Sequence, residues 1–429
     1  MRVPIVEYPE IVRQNVPQFE PIFANKNQVK HFCEYVTGLI AGNKATIQAI
    51  NALFLNKNDQ SALNKFLTQA AWDEAGLNQR RVQFELERLQ RRPVSASAGR
   101  LIIDDTLAHH TKCGIAGLAY LLDHSLNRNV WAHDVITSYY LNRSDQFPVD
   151  FRLYLQFNRK YEEAQLQKQA TKLSSQSDLP TYRQYLTALL SYHFRQQTYR
   201  PKAELAAELV QQALQWELPF RVVLFDSRFL RWSLVSVLEQ FQLDWVGGRW
   251  CQLQEYIRTI PAEAYRPYQI GAHLYWAFTK VLPMQNLHRA KVRLVATYED
   301  EIELSQPPTF YATNRKDWEP KRILTTYLDR WPTETFNEHA KGHLGFEEYQ
   351  LHNLQGIRRH RYLSFLAYSL LGDQGHPGRS RWALHGHFQS TGQRCQAVVD
   401  ELLGYLVRWI AQHLQQGETP DNILHTLLA

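Results

Sequence analysis

The chain has 429 residues, 44% hydrophobic and 12% aromatic, enough to bury a large core and to divide into two or three domains. No apolar run reaches the roughly 18 residues of a membrane span, Glu7 and Glu10 stand where an export signal would be apolar, and Cys33, Cys113, Cys251 and Cys395 form no C-x-x-C pair, so neither a membrane role, secretion, a zinc ribbon nor a disulfide framework is expected, and the expected location is cytoplasmic. A net charge of +6 and a pI near 9.0 favour an anionic partner, of which nucleic acid is the commonest.

Residues 28 to 92 carry apolar positions at helical spacing in three blocks: Phe32, Val36, Leu39 and Ile40, then Ile47, Ile50 and Leu53, then Leu63, Phe66 and Leu67. Breaks at Gly42-Asn43 and from Asn56 to Asp59 separate them. A helical unit of this kind is either a DNA-binding head or a plain structural bundle. At Arg100 the pattern turns to strand. LIIDDT ends in acids, and LAYLLDHS and VWAHDVITSYYL follow, rich in Val, Tyr and Ile, as an antiparallel meander. A polar stretch from Tyr161 to Asp178 interrupts as an excursion from the core, ahead of helical blocks at Tyr182 to Phe194 and Lys202 to Trp216.

FRVVLFDS then ends in Asp226 and Ser227, and a helix from Phe229 to Phe241 leads to the strand LDWVGG. From Arg249 to Lys321 the pattern is mixed and aromatic, with strands at 292–298 and 308–314, as in an inserted subdomain. A helical block holding YLDRWPTETFNEHAK, another from His360 to Leu371, a Gly/Pro/Arg-rich loop after it and a helix from Gln393 to Gln415 close the chain.

An Asp at the end of a buried strand is usually a cap or turn residue. Two at the ends of neighbouring strands project into one crevice, where they can share divalent cations. A third acid is readable in Tyr327, Arg330, Glu334 and Lys341, spaced Y-x2-R-x3-E-x6-K. At about 100° per residue the last three fall about −60°, −20° and −40° from Tyr327, on one narrow face. A solvated charged face with an Arg330–Glu334 pair is the plain alternative. Pro332 should kink the helix or mark its first turn.

These elements resemble the DDE transposases of bacterial insertion sequences, in the branch with a Y-R-E-K signature, the insertion-sequence-four superfamily and its relatives. IIDDT, VVLFDS and YLDRWPTETFNEHAK stand in the family's order, and the likeness runs from about residue 30 to 370. It implies an α/β fold: an RNase H-like core at 96–248 and 321–372, an N-terminal helical DNA-binding region at 1–95, a β-rich insertion subdomain at 249–320 and a C-terminal helical tail at 373–429. The 108 positions from Asp226 to Glu334 leave room for that insertion.

Carried over, the catalytic and metal-binding acids are Asp105, Asp226 and Glu334. Asp104 competes for the first place, but the family's acid directly precedes Thr, here Thr106, and only one of two adjacent strand residues faces the site. Tyr327, Arg330 and Lys341 match the signature residues that hold DNA backbone. The resemblance implies two Mg²⁺ or Mn²⁺ ions, cleavage of transposon ends and strand transfer into target DNA, terminal inverted repeats as substrate, and a homodimer in the synaptic complex. A hairpin intermediate would call for an aromatic residue of the insertion against a flipped base, with Trp250, Trp276 and Trp318 as candidates or as core. A nuclease without strand transfer and a non-catalytic DNA-binding descendant are the rival readings. Asp123-His124 and His133-Asp134 read as polar partners at a sheet edge rather than metal ligands, and Arg358-Arg359-His360-Arg361 as a solvated basic face or a phosphate contact.

Overall fold

The run Leu101-Ile102-Ile103 is apolar throughout because both faces of its strand are covered: Leu101 and Ile103 enter one core, Ile102 the other. The computed structural model describes residues 4–56, 59–90, 99–111, 115–143, 145–248, 260–372 and 390–428. Strand β1 (Arg100–His109) runs antiparallel to β3 (Arg128–Asn142), whose far edge takes β2 (Ala119–Asp123) and then β4 (Asp145–Tyr154). On its other side β1 is parallel to β5 (Val222–Asp226), and β5 to β6 (Asp244–Gly248). The order β4-β3-β1-β5-β6 is a central mixed sheet of an RNase H-like core.

Beyond β6 the sheet continues without a break. β10 (Thr309–Thr313) pairs with β6, and β9 (Ala290–Glu299), β8 (His273–Met284) and β7 (Arg266–Ile270) follow outward, all antiparallel. The strands expected at 292–298 and 308–314 are β9 and β10.

Helices α8 (Lys202–Gln215) and α9 (Trp232–Gln240) lie on one face, burying Leu205, Leu209, Leu234 and Leu238 beside Leu101 and Ile103. Helices α10 (Pro320–Leu328), α11 (Trp331–His343) and α12 (Leu354–Gly372) lie on the other, burying Ile323, Phe336 and Phe365 with Ile102. The N-terminal helices α1 (Glu10–Phe19), α2 (Lys26–Ala41), α3 (Ile47–Asn51) and α4 (Gln60–Thr68) join that second core rather than forming one of their own, and α5 (Glu74–Gln90) gives Leu77 and Phe84 to it and Val82 and Leu89 to the first. The breaks expected at Gly42 and before Asp59 are where α2 ends and α4 is capped. Helices α13 (Thr391–Gln415) and α14 (Pro420–Leu428) end the chain, α13 packing on α11 and α12. No described helix is long and apolar enough to cross a membrane. Cys33 and Cys395 are buried and unpaired.

Two readings need correction. The polar stretch at 161–178 is an excursion from the core, as expected, but is mostly helix, α6 (Arg159–Ser175), which pairs with α7 (Leu179–Thr198). None of its residues is buried, so no apolar stripe marks it, though Gln, Lys and Ala favour helix. The basic run at 358–361 is not a solvated face. Arg359, His360 and Arg361 are 1%, 0% and 0% exposed, because α12 is covered almost all round. Arg359 donates to the carbonyls of Phe66, Leu67 and Trp72 at 3.3, 3.1 and 2.7 Å, tying the N-terminal helices to the core.

Buried histidines add a pH-dependent tie. His360 accepts from the Tyr35 hydroxyl (2.7 Å) and donates to Gly345 O (2.8 Å), and His133 bridges Tyr349 and Ala116 O in the same way at 2.6 and 2.8 Å. Burial pushes both imidazoles down from 6.5 to about 3. The folded value lies below the unfolded one, so the stability they confer is complete above 6.5 and is lost as pH falls towards 3. Asp104 and Asp134, raised by burial to about 7 and about 6, contribute with the opposite sign. A difference measurement separates them. His360→Gln, whose amide can make both hydrogen bonds, should show a stability curve shallower than wild type by about 1.4 kcal/mol per pH unit between about pH 6 and 4 in urea titrations. Curves of equal slope would rule out a buried neutral His360.

Candidate active site

Strands β1 and β5 run in parallel with Ile102 beside Leu224 and Ile103 beside Phe225, so the next rung sets Asp104 beside Asp226. Alternation puts both acids on the face of Ile102, Leu224 and Val246. Asp226 ends its strand as a cap: its Oδ1 accepts from the Arg228 amide at 2.7 Å and the Ser227 hydroxyl at 3.1 Å.

That face receives the segment 327–341. Pro332 lies in the first turn of α11, so the helix is broken before it, with Arg330 as its N-cap and Tyr327 at the end of α10. The four signature residues still converge. The Arg330 guanidinium donates to Asp104 Oδ2 and to Glu334 Oε1, both at 2.6 Å. Lys341 Nζ donates to the Leu107 carbonyl on β1 at 2.6 Å and lies 3.8 Å from Glu347. Tyr327 is buried, and Arg330 stands 5.7 Å from its ring. The ring lies against Gly248, the rung beside Asp226, where an added Cβ would come within 2.0 Å of it. Gly248→Ala should therefore displace Tyr327 and cost about 1–3 kcal/mol of stability, read from urea midpoints; an unchanged midpoint would mean that the ring is not fixed there.

Burial raises Asp104 to about 7, against the pull of Arg330 and with added repulsion from Asp105 and Asp226. Burial lowers Arg330, but Asp104, Tyr327 and Glu334 outweigh it and leave the guanidinium more basic than usual. Arg330 is thus the internal counter-ion of a carboxylate cluster.

Asp105, expected as the first acid, points the other way. Its carboxylate is held on the α8 face by Lys202 and, at 3.2 Å, by Arg228. Lys202 also bonds Asp134 at 2.5 Å, so Asp134 is a polar partner, but in a buried ion cluster. The structure brings Asp104, Asp226, Glu334, Tyr327, Arg330 and Lys341 to one face and leaves Asp105 on the other. Lys202 and Arg228 escaped the sequence reading. Lys202 follows a long excursion and has no motif, whereas Arg228, two residues after Asp226, was findable by proximity.

Three carboxylates are hard oxygen donors suited to Mg²⁺ or Mn²⁺. Asp104, Asp226 and Glu334 fit that role, since a cation, Arg330, already lies between two of them. A separate trio, His273, Glu299 and Asp300, has donor atoms within 4.8 Å of one another but is exposed at the outer end of β8 and β9. Asp123 pairs with His109 at 2.7 Å. Of the tryptophans, Trp318 is buried under Arg322, Trp276 donates to Asp300 O at 3.1 Å, and Trp250 lies outside the described residues.

A family model described as DDE superfamily endonuclease matches residues 18–279, more than half of the chain. No curated protein matches it.

Proposed function

The chain belongs to the DDE superfamily of endonucleases, and we propose that it is a transposase that cuts the ends of its own element and joins them to target DNA. The observation that carries this reading is the meeting of Asp104, Asp226 and the Arg330–Glu334 pair where parallel strands β1 and β5 end. Membership implies a DNA substrate and a divalent metal. We take the metal-holding acids to be Asp104, Asp226 and Glu334, with Asp104 in the place first expected for Asp105. When bound, two Mg²⁺ or Mn²⁺ ions supply activation of the attacking oxygen and stabilisation of the leaving oxygen in an in-line displacement at phosphorus.

The protein's own part is positioning. Glu334 sits in the first turn of α11, and Lys341, anchored on Leu107, fixes that helix against β1. Arg330 neutralises the acids before DNA arrives and is placed to take a phosphate when it does. Tyr327, wedged over Gly248, fixes the approach of Arg330. Two such sites acting on two inverted repeats require a homodimer on DNA, and the region 1–95 and the strands from 260 to 313 are the further parts through which the DNA ends would be recognised.

The test incubates wild type and Asp226→Ala with DNA carrying the gene's own flanks, in Mg²⁺, Mn²⁺ or EDTA, and maps the 3′ ends. Metal-dependent cuts at both flanks, absent from the variant, are expected, with joined products. Cuts without joining would make the protein a nuclease; binding without cutting under any metal would end the catalytic reading.

A further inference from the structure

Between β4 and α8 the chain leaves the sheet for the α6–α7 hairpin. Helix α6 buries no residue and α7 buries only Thr181, so the pair contributes nothing to either core. It is rooted at the ion cluster on the α8 face of the sheet: Tyr154, the last residue of β4, pairs with Asp134, and Lys202, the first of α8, bonds Asp134 and stands 5.3 Å from the Tyr154 ring. Residues 159–200 carry seven Lys or Arg against three Asp or Glu, a net of +4, within a chain whose total is +6. The three acids are spent inside the hairpin. Glu162 pairs with Arg195 at 2.5 Å, Glu163 with Arg159 at 2.7 Å, and Asp178 caps α7 through the Thr181 amide at 2.7 Å. Lys160, Lys168 and Arg183 are exposed and meet no acid among the described contacts. Residues 1–95 net only +3 over a longer stretch, and Arg81 there is fully buried.

We propose that the α6–α7 hairpin is an arm that grips duplex DNA by its phosphates, away from the acids themselves. The inference rests on the endonuclease reading, since it takes DNA to be at the acids. The charge decides the occupant: a polyanion is drawn to a +4 surface, whereas a second copy of a +6 chain is repelled by it. The outward Tyr182, Leu190 and Phe194 of α7 are the features that a second copy would use instead.

The test uses the full chain in an Asp226→Ala background, so that binding is read whether or not the protein cuts. A labelled duplex carrying the gene's flank is titrated by fluorescence anisotropy across a salt series, with and without Lys160→Glu, Lys168→Glu, Lys172→Glu and Arg183→Glu together. All four positions are exposed, and circular dichroism and melting temperature check the fold. Expected are a roughly 100-fold loss of affinity and a log–log salt slope shallower by about 3 to 4, one phosphate per cation; the same residues changed to Gln should fall between. Unchanged affinity and slope in a folded variant overturn the arm. So does a wild-type dimer by light scattering that Leu190→Glu with Phe194→Glu makes monomeric without weakening DNA binding, which would make α7 a self-association surface. Failure of wild type to cut, with the arm's salt signature intact, would fault the catalytic reading alone.

Discussion

Asp104→Asn should reduce single-turnover strand cleavage by about a thousandfold or more, while Asp105→Asn should leave the rate per folded molecule within about tenfold of wild type. A metal-holding carboxylate acts on the reacting phosphate through its charge, and loss of such an electrostatic group costs on the order of 4 kcal/mol or more in the barrier. Asp104 has the geometry for this: it stands beside Asp226 and is joined to Glu334 through Arg330. Asp105 faces Lys202 and Arg228 across the sheet. Its loss breaks a buried cluster, so Asp105→Asn should unfold more easily, by about 3 kcal/mol, and the comparison must be made at a temperature where both variants are folded. If Asp105→Asn is dead and folded while Asp104→Asn cuts, the assignment of the two acids is reversed.

The second large effect concerns Arg330. At a pH alkaline enough to keep Asp104 ionised once Arg330, which holds its titration down, is gone, Arg330→Gln should bind Mn²⁺ without DNA roughly tenfold or more tightly than wild type, because a unit positive charge no longer stands within 3 Å of two of the ligand oxygens. Calorimetry or Mn²⁺ spin-resonance titration reads this directly. The melting temperature of the metal-free variant should fall, since its acids lose their counter-ion, and added Mn²⁺ should restore more of it than it adds to wild type. Cleavage should nevertheless drop, because the same guanidinium is the group placed for phosphate. Metal affinity and activity would thus move in opposite directions; equal Mn²⁺ affinity in the two proteins would show that Arg330 does not guard the site.

Much of this was readable from sequence where residues met strong, one-sided demands. The runs Leu101–Ile103, Val222–Phe225 and Trp245–Val246 of β1, β5 and β6 are apolar because both faces are covered, and each leaves an unmistakable signal. The charged stripe from Tyr327 to Lys341 was legible even though Pro332 divides it between two helices, because packing against β1 and β6 restores the shared face. The choice between Asp104 and Asp105 was not legible. Ile102 and Ile103, which precede the pair on opposite faces, are both fully buried, so parity alone gives two answers, and only the parallel register with β5 selects the one beside Asp226. Strand β4 was missed: it holds Pro148 next to a register shift against β3. The basic run at 358–361 misled because arginine is seldom buried, and nothing local shows that carbonyls some 290 residues earlier in the chain need donors.

That last contact sets a timetable for synthesis. Arg359 reaches back 293 residues to Phe66, so at ribosomal speeds of about 5–20 residues per second the N-terminal helices wait roughly 15–60 s before their binding surface on α12 is made. Until then their apolar faces, Phe32, Val36 and Leu39 among them, have no permanent cover. The nascent chain is therefore a natural client for holding chaperones, and production should respond more to translation rate and chaperone supply than to the stability of the finished fold.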